Sequence, residues 1–231
     1  MRTLFSLFVL ASVLWAGGHD SPAALTPEQA LAKLRAGNAR FAKHKEKHPD
    51  LSFDRRRSLS RDGQHPYAVI LGCSDSRVPP ELIFDEGLGD LFVIRDAGNV
   101  VDDEVLGSIE YAVEHLGVRL VVVLGHEKCG AVAAAVAGRE AHGHIKAVMK
   151  AIQPAVEETA GMPGDHVHNC VLANARRVAR LIRESEPILK PAVDSKQIVV
   201  FAADYDLETY KVEFLDLPAA PEKPAPRTPR R

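Results

Sequence analysis

The chain has 231 residues, 46% of them hydrophobic, and a formal net charge of −2. That suffices for one or two globular domains with a substantial core. It excludes a basic field, and there is no arginine–aromatic interleaving, so no nucleic-acid partner is expected. The charged residues are scattered, as on a solvated surface.

The first residues, MRTLFSLFVLASVLWAGGHDS, join a positive Arg2 to an apolar run from Leu4 to Trp15, then to small Ala16-Gly17-Gly18. This is the pattern of a secretory signal peptide, assigned to residues 1–18. The apolar run falls short of the roughly 20 residues needed to span a bilayer. An exported, periplasmic protein without a stable membrane anchor is expected. Thr26-Pro27-Glu28-Gln29 then starts a helix with a hydroxyl cap, an early proline and a reciprocal glutamine, and Leu31, Leu34 and Phe41 give it an apolar stripe. The polar stretch from Lys43 to Gln64 reads as an irregular or partly helical connection.

Four apolar runs follow: Tyr67–Leu71, Leu91–Ile94, Val118–Leu124 and Ile198–Ala202. Runs apolar on both faces and rich in Val and Ile suggest strands covered on both sides, as in a parallel sheet. Helical spacing appears after Asp102 and over 130–137, 144–158 and 167–184. Thr209–Leu215 alternates and is expected to form a final antiparallel edge strand after the Asp204-Tyr205-Asp206 turn. The fold class is therefore α/β, a mostly parallel central sheet flanked by helices with a C-terminal edge strand. One domain is expected at 25–216. The segment 218–231, within PAAPEKPAPRTPRR, is proline-rich without large apolar residues and is expected to be disordered.

The chemistry concentrates in two short segments. LGCSDSRVPP at 71–80 places Cys73, Asp75 and Arg77 at every second position behind a strand, and LGHEKCG at 124–130 places His126 and Cys129 behind another. The carboxyl ends of parallel strands are where sites assemble in open α/β sheets. If the two strands are neighbours, Cys73, His126 and Cys129 converge. Three N/S ligands with a fourth position open suit a catalytic zinc, whereas structural zinc takes four protein ligands. Asp75 and Arg77 would be a minor surface salt bridge alone, but have a defined task beside a metal. The remaining cysteine, Cys170, lies on an apolar helical pattern and reads as a small buried hydrophobe. His142 and His144, and likewise His44, His48, His65, His166 and His168, read as loop, surface or structural histidines.

C-x-D-x-R followed by H-x-x-C resembles the beta class of carbonic anhydrases. The resemblance extends over roughly Leu31 to Asp216, through AGNARF at 36–41, HPYAVILGCSDSRVPPELIF at 65–84, GDLFVIRDAGNVV at 89–101, GSIEYAVEHLGV at 107–118, LGHEKCGAV at 124–132 and PILK at 187–190. It implies one Zn2+ per subunit held by Cys73, His126 and Cys129, with Asp75 and Arg77 as the catalytic dyad. It also implies a homodimer or tetramer with active sites near the subunit interface, and carbon dioxide and bicarbonate as substrate and product. Zinc would activate a water as nucleophile, and Asp75, kept ionised and off the metal by Arg77, would orient it. In a closed state Asp75 would itself be a metal ligand. The regulated subclass of the family carries a tryptophan three residues before the first cysteine, as part of a bicarbonate trap. Ile70 stands there in this chain, although Arg95 matches the trap's arginine, so an open site without strong bicarbonate inhibition is expected. The same site could instead hydrolyse carbonyl sulfide or carbon disulfide, and a non-catalytic zinc-binding module is the reading from another class; the intact Asp75–Arg77 pair speaks against the latter.

Overall fold

The computed structural model describes residues 25–215. The expected signal segment at 1–18 and tail at 218–231 lie outside them. Five strands form one sheet: β1 (Ala68–Cys73), β2 (Leu91–Asp96), β3 (Leu120–His126), β4 (Val199–Tyr205) and β5 (Val212–Phe214). Their order is β2-β1-β3-β4-β5; the first four are parallel and β5 runs antiparallel along β4. The α/β architecture with a C-terminal edge strand is thus as expected. The edge strand is shorter than 209–215, because Asp206 Oδ1 accepts the amides of Glu208 and Thr209 and prolongs the turn.

Alternation along the strands explains the unbroken apolar runs. Ile70, Leu120, Val122 and Leu124 belong to one core layer, whereas Val69, Leu71, Val121 and Val123 belong to the other. The first layer is covered by α1 (Pro27–Phe41), α5 (Gly130–Val136) and α6 (Ile145–Glu158), and the second by α4 (Asp103–His115) and α8 (Leu189–Asp194). α7 (His166–Arg183) contributes Cys170, Val171 and Ala173 to the first layer and Ala175, Val178 and Ile182 to the second. Cys170 is fully buried, and burial pushes its thiol up to about 11.

The helix starts follow capping chemistry. Thr26 Oγ1 accepts the Gln29 amide while Gln29 Oε1 accepts that of Thr26. Asp102 and Asp165 cap α4 and α7 through their carboxylates. The connection over 43–64 contains one helix, α2 (Phe53–Asp62), none of whose residues is buried. Two short helices were not anticipated, α3 (Pro80–Ile83) and α8, since four and six residues are too few to display a helical period.

One buried amide ties the N-terminal helix to the rest. Asn38 Nδ2 donates to the carbonyls of Ile83 and Tyr210, and its Oδ1 accepts the Val212 amide. α1 is thereby locked to α3 and to the β4–β5 hairpin, which gives the asparagine of AGNARF a structural task.

Candidate metal centre

β1 and β3 are direct neighbours, with Gly72 opposite Leu124, so Cys73 and His126 end adjacent strands on the same side. The chain then turns through Glu127 and Lys128, the latter in the left-handed region at φ 54, and returns at Cys129, which caps α5. One ligand atom from each of Cys73, His126 and Cys129 lies within 4.8 Å of the other two, and all three residues are buried. Among the described residues this is the sole such group.

The spacing fits a tetrahedral ion. Zn–S bonds of about 2.3 Å at a tetrahedral angle put two sulfurs roughly 3.8 Å apart, and Cys73 Sγ and Cys129 Sγ are 4.0 Å apart. The His126 ring is oriented too: Nδ1 lies 2.8 Å from the Glu127 carbonyl, to which it donates. This leaves the Nε2 lone pair facing the sulfurs, and Nε2 is buried with no hydrogen-bond partner. A buried polar atom without a partner is costly unless something takes its lone pair. A metal would do so, and an imidazole whose other nitrogen is held by a carbonyl is the usual metal-binding arrangement.

Protonation points the same way. The Cys73 thiol falls well below its usual range because the Cys129 thiol, His126 and the Gly98 amide favour its thiolate. Cys129 is pushed up, first by that shared hydrogen bond and then by burial. Two buried sulfurs so close share one proton, and a divalent cation between them is what makes both thiolates at neutral pH.

Asp75 and Arg77 stand at the mouth of the buried trio. The Arg77 guanidinium and backbone amide, both donating to Asp75, hold that carboxyl far below the usual carboxylate range. Arg77 Nη2 also donates to the Lys128 carbonyl at 3.3 Å, which connects the dyad to the loop carrying His126 and Cys129. Lys128 is itself paired with Glu208 at 2.7 Å.

The sequence reading named Arg95 only as the match to the trap's arginine, and it did not single out Gly98. Arg95, on β2, donates from Nε to the Cys73 carbonyl at 2.9 Å and from Nη2 to the Asp75 carbonyl at 2.5 Å. It therefore clamps the turn that bears Cys73 and Asp75. The Gly98 amide donates to Cys73 Sγ at 3.3 Å. Both belong to the segment IRDAGN, whose charged and glycine residues directly after a strand were the available signal. Asp96 in the same segment accepts the Val100 amide, and burial raises its carboxyl to about 7.

His142 and His144 are exposed, as are His44, His48 and His65, while His166 and His168 are half-buried. A cavity of about 690 Å3 lies off the centre, with Asp204, His168, Glu127 and Arg176 in its lining and none of the five site residues. Asp204 is 7% exposed there, its Oδ1 has no partner, and burial raises its carboxyl to about 6.

Comparison with known proteins places this geometry. A family model described as carbonic anhydrase matches residues 68–212, a span that holds all five site residues. Carbonic anhydrase 2 of Mycobacterium tuberculosis is 52% identical over 134 residues, covering 56% of this chain and 64% of that protein. The match therefore spans just under two thirds of that relative's length. Among solved structures, the beta-carbonic anhydrase CafA of Aspergillus fumigatus is 30% identical with a TM-score of 0.62, over 82% of this chain and 90% of that one. A structure from Sordaria macrospora, described as one of two tetrameric beta-carbonic anhydrases, is 26% identical with a TM-score of 0.66, over 79% and 94%. With the family model covering more than half its length and the fold shared with beta-class structures over about four fifths of the chain, the chain belongs to the beta class of the carbonic anhydrase family.

Proposed function

We propose that the protein is a zinc-dependent carbonate dehydratase, interconverting carbon dioxide and water with bicarbonate and a proton. One observation carries this reading: three N/S donor atoms lie within 4.8 Å of one another, and the carboxylate two residues after the first of them has both oxygens engaged by an arginine. Storage of a metal needs the three donors but not the restrained carboxylate.

Zinc held by Cys73, His126 and Cys129 would lower the pKa of a water from 15.7 towards the value of about 7 known for three-histidine carbonic anhydrases, providing a nucleophile at neutral pH. The chain's own residues do the rest. Three protein donors would leave one position on the ion open to water. Asp75 is ionised throughout the neutral range and offers its carboxylate oxygens as acceptor for a water hydrogen, so that the water's lone pair is directed at the substrate carbon. Arg77 engages both carboxylate oxygens and would so keep Asp75 from becoming a fourth ligand. In a closed state that restraint would be released and Asp75 would join the three donors as a metal ligand.

Two thiolates would put more negative charge on a bound metal than two imidazoles, so its water would titrate at a somewhat higher pH than in three-histidine centres. The rate should accordingly rise with pH, and a flat profile between about pH 6 and 9 would argue against a titrating water. Ile70, where the regulated subclass has tryptophan, is fully buried in the core, and the Arg95 donors Nε and Nη2 are bound to loop carbonyls. Both support an enzyme without strong bicarbonate inhibition, which steady-state kinetics with added bicarbonate would decide.

The further reading is of an exported, periplasmic protein, processed after residues 1–18 and working as a homodimer or tetramer. N-terminal sequencing of the mature protein and light scattering test these two points. For the activity, the deciding experiment is stopped-flow hydration of carbon dioxide with and without a chelator. Catalysis proportional to bound zinc, at one per chain, is expected. A fully zinc-loaded protein that leaves hydration at its uncatalysed rate would remove the reading.

A further inference from the structure

We infer that Asn174, in the middle of α7, is a positioning residue of the metal centre, holding the Gly98 backbone so that its amide points at Cys73 Sγ. The inference rests on the metal-binding reading above. Asn174 Nδ2 donates to the Gly98 carbonyl at 2.9 Å, and Gly98 N donates to Cys73 Sγ at 3.3 Å. A side chain on α7 thus reaches the first metal ligand through one residue of backbone.

Asn174 is an odd choice for its place. It is 1% exposed, and Val171, Ala173, Ala175 and Val178 around it on α7 are buried core residues. Its Oδ1 is buried with no partner. A leucine would fill similar space without leaving an orphaned acceptor, and burying an unpaired polar atom is unfavourable. What an asparagine adds here is the N–H directed at Gly98.

Gly98 is constrained on its other side as well. It sits at φ +80, and a Cβ on it would lie 2.8 Å from Ile152 Cδ1 and 3.2 Å from Ala131 Cβ. Packing from α5 and α6 sets how close the loop can come, and Asn174 fixes the direction of its peptide. With both in place the Gly98 amide is a preoriented donor to sulfur. Such a hydrogen bond draws electron density from the thiolate, so the metal it ligates is a stronger Lewis acid than bare thiolates would leave it. Partners of this outer kind typically change metal affinity by about 10- to 100-fold when removed.

The test uses the full chain loaded with 113Cd. A hydrogen bond from an amide to a metal-bound sulfur transmits scalar coupling between the metal and the amide proton, so the wild type should show coupling from 113Cd to the Gly98 amide. Asn174→Leu, matched in volume but without the donor, should lose at least half of that coupling and bind metal about 10-fold more weakly in chelator competition. Val178→Ala, a core truncation on the same helix, should lower stability and leave the coupling intact. If Asn174→Leu does not fold, Asn174→Ser, too short to reach Gly98, takes its place with the same expected loss. Undiminished coupling in the Asn174 variant, or no coupling in a wild type with cadmium bound, overturns the inference. A wild type that takes up no cadmium, read from metal content, overturns instead the metal-binding reading and the inference with it.

Discussion

Arg77 holds Asp75 from three donors: its backbone amide and Nε both reach Oδ1 at 2.9 Å, and Nη2 reaches Oδ2 at 2.7 Å. Both carboxylate oxygens are therefore engaged by one residue. Since Asp75 titrates far below the usual carboxylate range, the attraction is present in full above an ordinary aspartate pKa of about 3.9 and is lost only in stronger acid. Protonating Asp75 is thus not what would release it under mildly acidic conditions; a change at Arg77 or in the loop is required.

Arg77→Ala should therefore retain zinc at wild-type stoichiometry while hydration falls by about 100-fold or more, the range expected when a positioned proton acceptor is lost. Metal analysis beside stopped-flow measurement checks it. Arg77→Lys should recover little, because an ammonium cannot reproduce the fork that engages both oxygens. Wild-type turnover in Arg77→Ala would remove the gating role.

Arg95 acts one step behind the dyad. Its bonds to the Cys73 and Asp75 carbonyls restrain the turn from one side. Arg95→Met keeps the aliphatic stem and deletes both bonds, so kcat should drop by about 10-fold or more with KM little changed, as for a misplaced catalytic group. A variant with weakened stability and undiminished kcat would assign Arg95 to folding alone.

Asp204 yields a stability prediction with a definite sign. Burial raises its carboxyl to about 6, above the unfolded value of about 3.9. Its contribution is complete below about pH 4 and disappears as the pH rises through about 6, because ionisation is disfavoured in the folded state. Asp204→Asn should match the wild type near pH 4 and exceed it by about 3 kcal/mol at pH 8. Denaturant midpoints at both pH values measure the difference, and a gap independent of pH would contradict the burial argument.

Gly37 provides a test of the framework rather than the site. A Cβ there would come within 1.7 Å of the Phe84 carbonyl oxygen. Helix propensity favours alanine over glycine by about 1 kcal/mol, but overpacking against backbone costs about 1–3 kcal/mol. Gly37→Ala should therefore destabilise, by up to about 2 kcal/mol on thermal or urea unfolding, despite its better helical preference.

Much of this was legible in the chain. The strands betrayed themselves because a sheet covered on both faces makes every side chain apolar, and α1 announced its start through Thr26 and Gln29. The candidate donors stood out through their combination: Cys73 after one strand and His126 and Cys129 after another say little apart, and gain meaning with Asp75 and Arg77 beside them. α3 and α8 left no trace, being shorter than the window in which a helical period becomes visible. The clamp of Arg95 was hidden for a different reason: it depends on β2 lying beside β1, and neither segment specifies its neighbour.

By itself the order of residues determined the α/β class and singled out Cys73, His126 and Cys129 as candidate metal donors with Asp75 and Arg77 beside the first, because local periodicity and side-chain chemistry are properties of short segments. Only the tertiary structure decided that β1 and β3 are adjacent, which brings Cys73 and His126 together across 53 positions of chain. It also decided that Nε2 of His126, rather than Nδ1, faces the sulfurs, and that Arg95, Gly98 and Asn174 surround them. Those relationships arise from packing between segments far apart in sequence, where the winning arrangement is the one that buries both sheet faces and leaves the fewest polar atoms without partners.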